Sequence, residues 1–206
     1  MQILLYLCGM KLVFATNNAH KLGEVRQILP ENVEVLCLEQ VGFTQDIAET
    51  GTTLEENSRI KAETVCQWLK DNGKWGNIDG VFADDTGLEI DALGGIPGVY
   101  TARWAGEPAA NRAKALRELE GKINREAQFR TVVTLLRANG ECKVVSGIVR
   151  GRIATAEHGE KGFGYDPIFI PDGYNNTFAE LPAEIKNSIS HRARAMQELV
   201  KILDNA

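Results

Sequence analysis

The chain has 206 residues, 44% of them hydrophobic and 25% charged, the profile of one ordinary globular domain with a sizeable core. A net charge of −5 argues mildly against a protein that coats nucleic acid through a basic surface, and says nothing against a local basic pocket for a phosphate ligand. Cys8, Cys37, Cys66 and Cys142 are widely spaced, so neither a zinc motif nor a disulfide framework is read, and a reducing cytoplasmic setting is expected.

Met1 to Gly9 is apolar, too short to cross a bilayer, and lacks the positive start and cleavage site of a signal peptide. It is read as an extension of uncertain status ahead of a single domain over 10–206, with no membrane segment. Leu12 to Ala15 reads as a buried strand. Asn17 or Asn18 then caps a helix running to about Leu29, before Pro30. Val33 to Leu38 is a second strand. Thr53-x-x-Glu56 is a capping box that opens a long helix stopping near Gly73, with Ala62, Val65, Cys66 and Leu69 on one apolar face.

Val81-Phe82-Ala83 is a third strand that ends in Asp84-Asp85, and Leu88 to Leu93 resumes as strand. Pro108 starts a helix stopped by Gly121. Phe129 to Leu136 and Cys142 to Ile153 form a hairpin across Asn139-Gly140. The last helix runs from about Ser190 to Leu203, with Met196, Leu199, Val200 and Leu203 inward. Helices alternating with strands, plus a hairpin, predict an α/β fold with a mixed sheet.

Several segments carry chemistry-bearing residues, each with a plainer alternative. Thr16-Asn17-Asn18-Ala19-His20-Lys21 joins a strand to a helix start, where backbone N–H groups favour anions; a capped helix with a solvated lysine is the alternative. Glu49 precedes the long helix, which carries Asn57 and Lys61 one turn apart; that face points either at an anion or at solvent. Asp84-Asp85-Thr86-Gly87 places two adjacent carboxylates at a strand end, costly unless a cation or donors satisfy them. Oxygen ligands of this kind suit Mg²⁺, and side-chain alternation turns one aspartate to the site and the other to brace the turn. A simple Asp/Gly turn is the alternative. Gly162-Phe163-Gly164-Tyr165-Asp166-Pro167 lets a planar ligand approach the backbone and stack on a ring, or is a structural turn. Lys186, then Ser190-His191-Arg192, offers donors at a helix start for carbonyls or phosphates, or decorates a surface.

In order, T-N-N-x-x-K, E-T-G-x-T-x-x-x-N, A-D-D-[ST]-G-L, G-G-x-P-G-x-Y-[ST]-A-R, G-F-G-Y-D-P and K-x-x-x-S-H-R occupy Thr16–Lys21, Glu49–Asn57, Ala83–Leu88, Gly94–Arg103, Gly162–Pro167 and Lys186–Arg192. This series resembles the inosine triphosphate pyrophosphatase family, which hydrolyses non-canonical purine triphosphates such as ITP, dITP and XTP to monophosphate and pyrophosphate. The resemblance spans residues 10 to about 203. It implies a long mixed sheet forked into two lobes around a central substrate cleft, helices on both sides, a homodimer, and Mg²⁺ as cofactor. It also implies Asp85 as general base or metal-organising carboxylate, with Asp84 and Glu49 its partners at Mg²⁺. Thr16, Asn17, Asn18, Ala19, His20 and Lys21 fall in the segment implied for the triphosphate, with Lys61 a further cation and Thr86 a substrate contact. Phe163, with Gly164 and Tyr165 beside it, matches the purine-stacking segment, and Asp166, Lys186, His191 and Arg192 the set that reads the base. A pyrophosphatase for modified pyrimidine nucleotides and a nucleotide sensor without turnover are the rival readings.

Overall fold

The computed structural model describes residues 9–204; the expected N-terminal extension lies, but for Gly9, outside them. The strands are β1 (Met10–Phe14), β2 (Val33–Leu36), β3 (Gly80–Ile90), β4 (Pro97–Gly98), β5 (Glu126–Arg137), β6 (Cys142–Ile153) and β7 (Phe169–Pro171). The helices are α1 (Ala19–Ile28), α2 (Leu38–Val41), α3 (Leu54–Asp71), α4 (Pro108–Glu118), α5 (Ala183–Ile189) and α6 (His191–Asp204).

The local start signals act as expected. Asn18 Oδ1 accepts from the Lys21 N–H at 3.1 Å and caps α1. Thr53 Oγ1 accepts from the Glu56 N–H while the Glu56 carboxylate accepts from the Thr53 N–H, so α3 opens on a complete capping box. The apolar face of α3 is buried, as are Met196, Leu199 and Leu203 of α6. Four elements were not foreseen: the short α2 that follows where β2 stops at Leu36, the short strands β4 and β7, and α5 directly before α6; the strand expected to Leu93 ends at Ile90.

One seven-stranded mixed sheet runs in the order β2-β1-β3-β5-β6-β7, with β4 on β3. Strands β1, β2 and β3 are parallel, and β5, β6 and β7 add antiparallel. Val13, Val81 and Ala83 pack under α2 and α3 on one face. Leu12, Phe14 and Phe82 pack under α1 and α6 on the other. A third cluster gathers Leu88, Ile90 and Phe129 with Ala115 of α4 and Leu119 just after it around the far ends of β3 and β5.

Asp84 and Asp85 do not end a strand. They lie mid-way along an 11-residue β3, because β5 pairs with it continuously from Gly80 to Ile90 and leaves no room for a turn. The other edge of β3 behaves differently. Pairing with β1 stops at Phe82, where the Ala15 N–H reaches its carbonyl, and pairing resumes only at Leu88 with β4. The acidic pair occupies the part of β3 where β1 has ended and β4 has not begun.

Candidate active site

A cleft of about 640 Å³ opens beside that gap in the strand pairing, within the range of small-molecule sites. Every residue that the family resemblance assigned to catalysis, metal or substrate lines it except Ala19 and Asp84. Ala19 is an exposed opening residue of α1, turned away because its neighbours His20 and Lys21 take the inward face.

Asp84 and Asp85 project to opposite faces of β3, as the period of a strand requires. Asp84 points toward α1 and α6 and is 1% exposed. Its Oδ1 accepts from Lys21 Nζ at 2.9 Å and its Oδ2 from Arg192 Nε at 3.1 Å. Burial works to raise its pKa, but the Lys21 and Arg192 charges outweigh it and hold the carboxyl well below the usual range. It braces this cationic pair rather than a turn.

Asp85 points toward α3 and the cleft. Lys61 Nζ donates to Asp85 Oδ1 at 3.0 Å and to Glu49 Oε1 at 2.6 Å, so one ammonium joins carboxylates from two distant segments. Asn57 Nδ2 donates to Asp85 Oδ2 at 3.4 Å, and its own Oδ1 accepts from the Gly51 N–H at 2.8 Å. Burial is the largest influence on Asp85 and, despite Lys61 and Lys21, leaves its pKa above the usual carboxylate value. Glu49 moves the other way: Lys61 more than offsets its burial.

Each of these lysines is bonded directly to a carboxylate, Lys21 to Asp84 and Lys61 to Glu49 and Asp85. Burying isolated charges is too costly for the chain to leave them apart. Glu49, Asp84 and Asp85 do not form one ligand set: among the described residues, no group of three or more carboxylate, imidazole or thiol side chains is placed to hold an ion. Glu49 and Asp85 are together, and Asp84 is behind the strand.

The other end of the cleft is built from the 162–166 loop, α5 and α6. Asp166 Oδ2 accepts from the Phe163 N–H and from Lys186 Nζ, both at 2.7 Å. Lys186 Nζ lies 5.0 Å from the Phe163 ring centre, and the His20 ring stacks on Phe163 at 5.3 Å with 16° between planes. Ser190 Oγ caps α6 by accepting from the Ala193 N–H, which presents His191 and Arg192. His191 is held well below the usual histidine range by burial, reinforced by the Arg192 and Lys186 charges, and is neutral at physiological pH.

Residues that sequence reasoning missed complete the set. Glu24 accepts from Lys186 at 2.8 Å and pairs with Arg192, joining α1, α5 and α6; its place one turn after Lys21 was the available signal. Thr131 contacts both Thr86 and His191, and no local pattern marks it. Arg103 donates to Glu49 Oε2 at 3.1 Å.

An α/β sheet with paired carboxylates and cations at one end of a cleft, and a half-buried aromatic with neutral and cationic donors at the other, defines a protein built for a phosphorylated planar ligand. The chain belongs to the Ham1 family, whose model matches residues 12–202. It is 48% identical over 197 residues to a dITP/XTP pyrophosphatase of Flavobacterium johnsoniae, covering 94% of this chain and 98% of that one. It is 45% identical to a dITP/XTP pyrophosphatase of Flavobacterium psychrophilum, over 95% of this chain and 100% of the other. The solved Ham1 protein of Staphylococcus aureus superposes with a TM-score of 0.82 at 39% identity, covering 95% of this chain and 98% of that structure. The family resemblance read from the motifs is borne out.

Proposed function

We propose that the protein hydrolyses non-canonical purine nucleoside triphosphates, namely ITP, dITP and XTP, to the monophosphate and pyrophosphate, and so cleanses the nucleotide pool. The observation that carries this reading is the convergence of Glu49 and Asp85 on Lys61 at one end of a cleft whose other end holds Phe163, Lys186 and His191. Named relatives covering nearly the whole chain support it. The same reading takes the protein as a cytoplasmic homodimer, with the cleft between two lobes of the forked sheet.

The donor set fits Mg²⁺, which takes one or two carboxylates and completes its shell with phosphate oxygens and water. Glu49 and Asp85, which line the cleft, would hold it; Asp84 would not, because it is buried behind β3 and does not reach the cleft. When bound, the ion supplies charge neutralisation on the triphosphate. Asp85 is the general base. It faces the cleft, where it can take the proton of the water that attacks the α-phosphorus. The bond from that phosphorus to the α–β bridging oxygen breaks, and pyrophosphate leaves. Lys21, Lys61 and the donors of Thr16, Asn17 and Asn18 hold the phosphates and stabilise the departing charge. Phe163 stacks on the purine, while Lys186, His191 and Arg192 donate to its keto oxygen and ring acceptors.

Pyrophosphate release from ITP, dITP, XTP, GTP, ATP and a modified UTP, with Mg²⁺ and with excess EDTA, tests this directly. Turnover of the inosine and xanthosine nucleotides that EDTA abolishes is expected. Preference for the modified pyrimidine, or nucleotide binding without release, overturns it.

A further inference from the structure

Resting on that reading, the structure assigns base discrimination to a buried hydroxyl relay. We propose that Thr86 and Thr131 fix the tautomer of His191 so that its Nε2 carries the proton and donates to a 6-keto oxygen. Thr131 is fully buried and does not line the cleft. It sits directly opposite Thr86 in the β3–β5 ladder. The two hydroxyls are 2.8 Å apart, and Thr131 Oγ1 is 2.6 Å from His191 Nδ1.

The direction of the relay follows from its first member. Arg192 Nη2 donates to Thr86 Oγ1 at 3.4 Å, and a guanidinium accepts nothing. The single Thr86 proton therefore goes elsewhere. Asp84 Oδ2 is 3.5 Å away and already accepts from Arg192, whereas Thr131 is 2.8 Å away. A separation of 2.8 Å is the ordinary O–H···O length and 3.5 Å lies outside it, so Thr86 donates to Thr131. The Thr131 proton is then left for His191 Nδ1, which must accept it. In a neutral imidazole the other nitrogen carries the hydrogen.

The His191 ring is held in plane by stacking on Phe129, with centroids 4.7 Å apart and 30° between planes. Its Nε2 has no hydrogen-bond partner among the described residues, and the residue lines the cleft. An N–H there pairs with the 6-keto oxygen of hypoxanthine or xanthine. It meets the 6-amino group of adenine donor to donor, leaving buried polar groups unpaired. Thr131 is thus a positioning residue: it touches no substrate, and it decides what the base-reading atom offers.

Nitrogen-15 NMR of the histidine side chains in the unliganded protein reads the tautomer without any substrate. His191 Nδ1 is expected in the unprotonated range and Nε2 in the protonated range. Thr131→Val removes the relay proton while keeping the shape. It is expected to cut the ratio of ITP to ATP kcat/KM about tenfold or more, and Thr131→Ser is expected to restore it. A wild-type His191 protonated on Nδ1 overturns the proposal even if Thr131→Val does not fold. A Thr131→Val protein that keeps both tautomer and selectivity overturns it as well. Wild-type protein inert toward ITP would instead sink the proposed function and leave the tautomer result standing.

Discussion

Asp84 and Asp85 are adjacent in the chain, yet their carboxylates lie on opposite faces of β3 and their pKa values move in opposite directions. Asp84 is locked between Lys21 and Arg192, and Asp85 opens to the cleft beside Lys61. One is a structural counter-ion and the other is the base of the proposed reaction.

Substitution should separate the two roles. Asp85→Asn is expected to fold and to lose about 10²–10⁴-fold in kcat, the usual worth of acid–base help. Asp84→Asn leaves Lys21 without its anion and Arg192 with Glu24 alone, and a loss of about 3–5 kcal/mol in chemical denaturation is expected. Near-wild-type turnover by Asp85→Asn would show that Asp85 is not the base.

Their pH signatures also differ in sign. Asp84 has a folded pKa depressed from 3.8, so its stabilising contribution is complete above that value and drains away as pH falls toward the folded pKa. Asp85 has a folded pKa raised from 3.8, so its contribution is present below that value and is lost as pH rises through the folded pKa. Denaturation midpoints measured against pH should therefore fall less steeply in acid for Asp84→Asn than for wild type. The acid limb of kcat/KM should lie above 3.8, where Asp85 loses its proton.

Lys61 sets where that limb falls. It is the leading cation acting on both Asp85 and Glu49. Lys61→Met removes the cation the two carboxylates share and leaves Arg103 on Glu49 alone, so Asp85 then resists ionisation more. The acid limb of kcat/KM, measured at one Mg²⁺ concentration, is expected to move to higher pH. An unmoved limb would mean that Asp85 is governed by burial alone.

Two glycines place the base-reading end. At Gly162, with φ +75°, an added Cβ would lie 2.1 Å from Asp166 Oδ2. Gly162→Ala should dislodge Asp166 from Phe163 and Lys186, raise the KM for ITP more than it lowers kcat, and cost about 1 kcal/mol or more in stability. At Gly147 an added Cβ would lie 2.2 Å from the His191 carbonyl and 2.3 Å from the Ala195 nitrogen. Gly147→Ala should push α6 off β6, at a cost of about 1–3 kcal/mol, and impair KM and kcat together because His191 and Arg192 ride on that helix. Steady-state kinetics beside denaturant titration distinguishes the two patterns.

The amino-acid order alone determined what is local. The Asn18 and Thr53 caps, the apolar stripes of α3 and α6, the Asn139-Gly140 hairpin and the ordered motifs that mark the family all depend on neighbours within a few residues, and they stand in the structure. Strand alternation also foretold that Asp84 and Asp85 would part company. Only the tertiary structure decided which faced what. That depended on α1 and α6 covering one side of the sheet and α3 the other, on β5 holding β3 straight through the acidic pair, and on Thr131 arriving opposite Thr86. Glu24 and Thr131 acquire their roles through residues far away in sequence, because a buried charge or hydroxyl is satisfied by whatever the packing of layers brings within hydrogen-bond reach.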